Sequence, residues 1–213
     1  PAYSLPKPGF NNNNYPPKVL QWLKEYEVKF GKRGTSRLTA DKVPLSQISG
    51  NARVIDVRPL IGTTQNSQWP ASPTITVAHL EVYEKKTGKL ERGEIVLFRT
   101  GHVDTHYKPL PEGKTCMENP INGLSEGWPA PDAGAILHLA KRGIRCVGTD
   151  APTLGGVDSK QALFTYWTLG TQDMVGVEFL TRLGQLPAKA VFLFASPKIK
   201  GCHGGPGRAI ALY

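Results

Sequence analysis

Residues 132–169 constrain the fold most, because element types alternate there at short range. Pro131 and Asp132 mark a helix start, and the segment Asp132 to Arg142 reads as that helix. Gly143 suits the left-handed position that ends it. Ile144 to Val147 reads as a short buried strand. A loop of small and turn-forming residues, 148–158, follows and carries two aspartates, Asp150 and Asp158. Lys160 to Leu169 reads as a second helix. Helix, strand, polar loop and helix in that order predict an α/β chain. In open α/β sheets chemistry gathers at the carboxyl ends of the strands, where such loops lie.

The surrounding chain supplies more of the same. Val19, Leu20, Leu23, Tyr26 and Phe30 recur at helical spacing behind Pro17, a residue suited to a first helical turn. Pro44 to Ile48 predicts one helical turn, and Arg53 to Val57 a strand. Residues 58–73 read as a loop. Thr74 to Tyr83 alternates and is rich in β-formers, which predicts a strand holding His79. Glu94 to Thr100 predicts a strand buried on both faces, since Ile95, Val96, Leu97 and Phe98 stand in a row. Gly101 to Pro131 reads as one long loop, a length associated with function or subunit contact. Further strands are expected at Met174 to Glu178, Val191 to Phe194 and Ala209 to Leu212. His138 falls in a helix.

Length allows one domain with a full core or two small ones. The expected division is an N-terminal extension with one helix, 1–37, and a main domain, 38–213. Residues 1–14 hold the run Asn11 to Asn14 with Pro6 and Pro8, and too little apolar surface to offset their ordering entropy, so they are expected to order only against another molecule. The sequence opens on Pro1, as expected after loss of an initiator Met or a longer leader, and shows no secretory signal. No run approaches 18 apolar residues, which excludes a membrane-crossing helix. Cys116, Cys146 and Cys202 are an odd count without a C-x-x-C pair, which favours an intracellular, reducing compartment, mitochondrial or cytoplasmic.

The net charge is +9, from 26 Lys and Arg against 17 Asp and Glu, and it favours acidic partners. Lys24, Lys29, Lys32, Arg33 and Arg37 cluster near the N-terminus among Tyr15, Trp22 and Tyr26. Basic and aromatic interleaving is compatible with RNA contact and equally with an acidic protein neighbour.

Four other places could carry chemistry. His102-x-Asp104-x-His106 would put two imidazoles and a carboxylate on one face of an extended chain, a weak metal candidate. Asp150 and Asp158 could position a substrate or water, or hold the loop together. Glu178, at a strand end, is a general-base candidate if a cleft adjoins it. Gly201 to Arg208 is Gly-rich but lacks the phosphate-loop pattern; it reads as a tight turn, with Cys202 beside His203 a poor nucleophile pair.

A series of motifs then resembles one family. In order they are Asp41-Lys42-Val43-Pro44-Leu45, Val54-Ile55-Asp56-Val57, Gly93 to Gly101, Gly148-Thr149-Asp150-Ala151-Pro152, Val177-Glu178-Phe179-Leu180, Pro197 to Gly201, and Gly205 to Ala209. Over roughly residues 38–213 the chain resembles the cyclase family of metal-dependent hydrolases, which includes bacterial kynurenine formamidase and isatin hydrolase. The resemblance implies a cyclase-like α/β fold of the swivelling β/β/α type: a mixed β-sheet core with surrounding helices. It implies hydrolysis of an amide or cyclic amide by a metal-activated water.

This sequence departs from the family at the metal. Family members carry His-x-Gly-Thr-His-x-Asp-x-Pro-x-His before the Asp-Lys-Val-Pro region, and those residues bind Zn or Mn. The corresponding places here fall on Val19, Leu23, Glu25 and Lys29, and no His precedes His79. A further family His falls near Thr165. Glu178 is retained. Two readings follow. The first is a cyclase-fold pseudoenzyme without a cofactor, serving as a structural or interaction subunit of a larger ribonucleoprotein or organellar assembly, with protein partners and with RNA as a candidate. The second is a metal-dependent amidohydrolase, using Zn or Mn, whose metal-binding segment comes from another chain.

Overall fold

A computed structural model describes residues 15–34, 36 and 38–213. The segment Pro1 to Asn14 and Arg37, both expected at partner contacts, lie outside the described residues.

The first helix among the described residues is α1, Pro17–Phe30, closed by Gly31 at φ 88°. A single-turn helix α2, Leu45–Ile48, leads into strand β1, Ser49–Asp56. The short strand β2, Thr74–Ile75, precedes helix α3, Val77–Thr87. Next come strand β3, Ile95–Arg99, and helices α4, His102–His106, and α5, Glu118–Ile121. Strand β4, Ala130–Pro131, runs into helix α6, Ala133–Lys141. Strand β5, Cys146–Thr149, helix α7, Ser159–Thr171, and strand β6, Val175–Val177, follow. The strands β7, Lys189–Ala195, and β8, Arg208–Leu212, complete the order.

The main sheet has the order β6-β5-β3-β1-β7-β8. The first four strands are mutually parallel; β7 returns antiparallel beside β1, and β8 pairs antiparallel with β7 at the sheet edge. The fold is therefore a mixed six-stranded α/β architecture with helices around the sheet. β3 lies inside the parallel half, and its Ile95 to Phe98 are essentially inaccessible, as a continuous apolar run predicts. Side chains alternate from it into two cores. Val96 and Phe98 join Ile55, Val147, Leu80 of α3 and Ile136 and Leu139 of α6. Ile95 and Leu97 join Ala52, Val54, Cys146, Val177 and Phe192 on the other face.

Three expectations are corrected. Thr74 to Tyr83 is not one strand: only Thr74–Ile75 pairs, and a helix starts at Val77. The Thr76 backbone N–H donates to His79 Nδ1 at 3.0 Å, closing a reciprocal cap, and Leu80, Tyr83 and Glu84 then face inward at helical spacing. His79 is accordingly exposed in the first helical turn rather than held in a strand. Residues 101–131 are not one loop: α4, a 3₁₀ turn at Glu112–Thr115, α5 and β4 divide them. Each piece is too short to print a period on the sequence. The Asp132 helix and the loop before Lys160 match the reading closely. Asp132 Oδ1 accepts from Ala135 N at 2.7 Å and Asp158 Oδ1 from Gln161 N at 2.6 Å, so both aspartates are N-caps.

Candidate functional site

The loops after β1, β3, β5 and β6 gather at the carboxyl ends of the parallel strands, as the topology requires. Asp150, at the end of β5, is fully buried. Its Oδ1 accepts from Thr100 N at 2.5 Å and Thr100 Oγ1 at 2.7 Å, and its Oδ2 from Gly101 N at 2.9 Å. The backbone carbonyl of Asp150 accepts from Val103 N at 3.0 Å. Burial pushes the Asp150 carboxyl up, against the pull of those donors. The residue thus ties the β5 loop to the turn that launches α4.

Glu178, just past β6, is half-buried. Its Oε1 accepts from Leu154 N at 2.8 Å and from the Tyr166 hydroxyl of α7. Burial, then the Glu178 charge, pushes the Tyr166 phenol up, so the hydroxyl stays protonated and donates. The loop between them approaches α7 closely: a Cβ at Gly155 would lie 2.8 Å from Ala162 Cα, so only glycine fits.

Beside this loop opens a cleft of about 400 Å³, lined by Thr63, Thr64, Gln68, residues 70–74, Asp158 and Gln161. Its polar side chains are hydroxyls and amides with one carboxylate and no cation, beside the apolar Pro70, Ala71 and Pro73. Ser72 Oγ accepts from Val157 N at 3.0 Å, and Thr74 Oγ1 donates to Gln161 Oε1 at 3.2 Å, which joins the two walls. Glu126 holds the outer loop, accepting from Gly62 N at 2.6 Å, Thr64 N at 2.7 Å and Thr64 Oγ1 at 2.6 Å. Sequence reasoning missed Glu126, a lone carboxylate in a Gly-rich stretch whose partners lie more than sixty positions away.

The His102, Asp104 and His106 triplet is helical, not extended, so the one-face geometry expected of it does not form. The His102 and His106 rings lie against each other at a 43° tilt with centroids 4.6 Å apart, while Asp104 Oδ2 turns away to accept from Arg182 N at 2.8 Å. His102 Nε2 meets the Cys116 carbonyl at 2.8 Å, its ring lies edge-on to Trp128, and burial lowers its pKa to about 4. Cys202 donates its thiol proton to the Gly204 carbonyl rather than to His203.

The positions aligned with the family's metal ligands lie on α1. Val19 and Leu23 pack on a buried centre of Tyr26, Ala133 and Trp167. Glu25 pairs with Lys160 at 2.5 Å, and Lys29 Nζ sits 5.2 Å from the centre of the Phe30 ring. Thr165 is buried and donates to the Pro131 carbonyl at 2.8 Å. Among the described residues no three His, Cys, Asp or Glu side chains converge as a metal site would require. The side chains at those aligned positions, two aliphatic, one carboxylate tied to Lys160 and one ammonium, do not fit a catalytic dication. Lys24, Lys29 and Lys32 are exposed, while Arg33 is half-buried with its guanidinium 5.4 Å from the Trp167 ring centre. No helix among the described residues is long and apolar enough to cross a membrane.

The putative cyclase family matches residues 15–155, starting inside the expected extension. Isatin hydrolase of Roseibium aggregatum is 32% identical over 143 residues, covering 65% of this chain and 52% of that protein. Isatin hydrolase A from Labrenzia aggregata, solved with benzyl benzoate, superposes with a TM-score of 0.64 at 24% identity, over 82% of this chain and 64% of its own. A potential metal-dependent hydrolase with cyclase activity superposes at 0.54 and 20% identity, over 79% of this chain and 67% of that one. The chain spans about half the length of the curated relative it matches. On a family match covering well over half its length, with the same fold beneath it, the chain belongs to the putative cyclase family.

Proposed function

We propose that this chain is a cyclase-fold subunit whose own residues do not run metal-assisted hydrolysis, and that it serves as a structural or interaction component of a larger ribonucleoprotein or organellar assembly. One observation carries the reading: the side chains at the ligand positions, Val19, Leu23, Glu25 and Lys29, are committed to packing and pairing along α1. Glu178 fits the same picture, since its Oε1 is held by Tyr166 and Leu154. The exposed Lys24, Lys29 and Lys32, with Arg33 beside them, are the proposed partner contact, to other proteins in the first place. An RNA partner would be told apart by affinity that falls steeply with salt. The three free cysteines support a reducing, intracellular setting, mitochondrial or cytoplasmic. Purified chain supplied with Zn or Mn should hydrolyse N-formyl anilides and cyclic amides no faster than buffer, with or without Glu178→Gln. Turnover that Glu178→Gln abolishes would refute this.

A second reading rests on length. The chain spans 52% of the isatin hydrolase it matches, and Glu178 is retained. In that reading another polypeptide supplies the missing His and Asp ligands and the Zn or Mn, and the substrate is an amide or cyclic amide. Turnover would then emerge only on mixing the two chains.

A further inference from the structure

The helices that cover the sheet stop short of its antiparallel end. On the face where α3, α6 and α7 pack over Val96 and Phe98, Arg53 of β1 closes the core. It donates to the Tyr83 hydroxyl at 3.2 Å and to the Gly88 carbonyl at 3.1 Å. Beyond Arg53 the same face continues bare. Asn51 pairs with Val191 and Ser49 with Leu193, and these pair in turn with Leu212 and Ile210 of β8. Val191 is 47% exposed, Leu212 67% and Ile210 42%. The opposite face of the same two strands is filled, since Phe192 and Phe194 pack in the second core. The four aliphatic side chains make a contiguous patch on the order of 300 Å², a size that on a protein surface is often functional.

Lys189 and Arg208 stand on that face at the two ends of the patch, one place along the alternation from Val191 and from Ile210. Both are exposed, and neither has an acidic partner among the described residues. Residues 179–213 contain Arg182, Lys189, Lys198, Lys200 and Arg208 and no Asp or Glu. We infer that this face docks an amphipathic helix with acidic flanks, supplied by another protein. Two bare strands are about 10 Å wide, close to one helix diameter. Such a helix extends the layer that α3, α6 and α7 begin. From Lys189 to Ala195 the strand runs about 20 Å, the length of about 13 helical residues. An apolar stripe at i, i+3, i+4 and i+7 meets Val191, Leu193, Ile210 and Leu212. Carboxylates on its flanks meet Lys189 and Arg208, whereas a second copy of this equally basic face would be repelled. The patch lies at the opposite end of the sheet from β6 and the Glu178 loop, so the inference stands whether or not the chain takes part in hydrolysis.

A synthetic helical peptide of about 14 residues, with Leu along one stripe and Glu on both flanks, should bind the full chain saturably in fluorescence anisotropy. The same peptide with Lys for Glu should bind at least about tenfold more weakly. That comparison uses the unaltered chain, so it decides even where a variant misfolds. Leu212→Ser should weaken binding of the Glu peptide at least about tenfold, and so should Lys189→Glu combined with Arg208→Glu. Leu124→Ser, at a 70% exposed position elsewhere, should leave it unchanged, with circular dichroism showing each variant folded. In the cells that make the protein, a photo-reactive benzoylphenylalanine in place of Leu212 should cross-link to another protein. Mass spectrometry should place the link in an acidic segment of helical apolar period. No binding of the Glu peptide, equal binding of the Lys peptide, or binding that Leu212→Ser leaves intact would each overturn the inference. So would a cross-link to lipid or to a second copy of this chain.

Discussion

Acidification from about pH 6.5 to about 4 is expected to cost this protein up to about 3 kcal/mol through His102 alone. The imidazole is 8% exposed, and its burial lowers the pKa from 6.5 to about 4. Neighbouring His106 adds a smaller push in the same direction. Between those two pH values the unfolded chain binds a proton at this residue and the folded chain does not. Stability therefore rises with pH through that window and is fully present above it. Below about pH 4 both states are protonated and the loss levels off. Urea unfolding at several pH values checks this. In His102→Gln, which keeps a donor for the Cys116 carbonyl, the slope between pH 6.5 and 4.5 should flatten. An unchanged slope in that variant would assign the acid sensitivity to other groups.

Tyr26→Ala should be the most damaging single change on α1, at about 3–5 kcal/mol. Tyr26 is 2% exposed and meets Phe164 and Trp167 edge-on at centroid distances of 5.4 Å, with Phe30 at 5.3 Å. Its hydroxyl lies 3.0 Å from Thr168 Oγ1. Truncation leaves a cavity in the middle of the aromatic layer that packs α1 against α6 and α7. Tyr26→Phe removes the hydrogen bond alone and should cost about 1 kcal/mol. Val28→Ala, at an 89% exposed position of the same helix, should stay within about 0.5 kcal/mol. Thermal unfolding of the three variants gives the ranking. Tyr26→Ala no more harmful than Val28→Ala would mean that α1 is not anchored through this cluster.

The parts legible in the sequence are those with a local cause. The Asp132 and Asp158 caps, the continuous apolar run of β3 and the period of α1 act within a few residues, and the structure has them where the sequence places them. The errors arise where a local pattern fits two outcomes. Ile75, Val77 and Leu80 suit a strand until Thr76 and His79 close a cap on each other, which turns the chain helical. His102 and His106 suit a metal face only in an extended chain; one turn of helix sets the rings against each other at a tilt and sends Asp104 to Arg182. The long-range ties of the candidate site leave no local trace. Asp150 reaches Thr100 and Gly101 across fifty positions, Glu126 reaches Thr64, and Tyr166 reaches Glu178 across a loop. The cyclase fold was visible through ordered motifs, whereas the use of each retained carboxylate depends on contacts that no motif spells out.

Metal stoichiometry tests the central claim most directly, because it asks whether α1 has replaced a ligand set. Zn and Mn are titrated calorimetrically into the purified chain, and bound metal is counted by elemental analysis after dialysis. Well under one equivalent of either ion is predicted, with Glu178→Gln indistinguishable from the parent chain. One tightly held ion per chain that Glu178→Gln releases would contradict it, and would place a working cyclase metal site within this sequence.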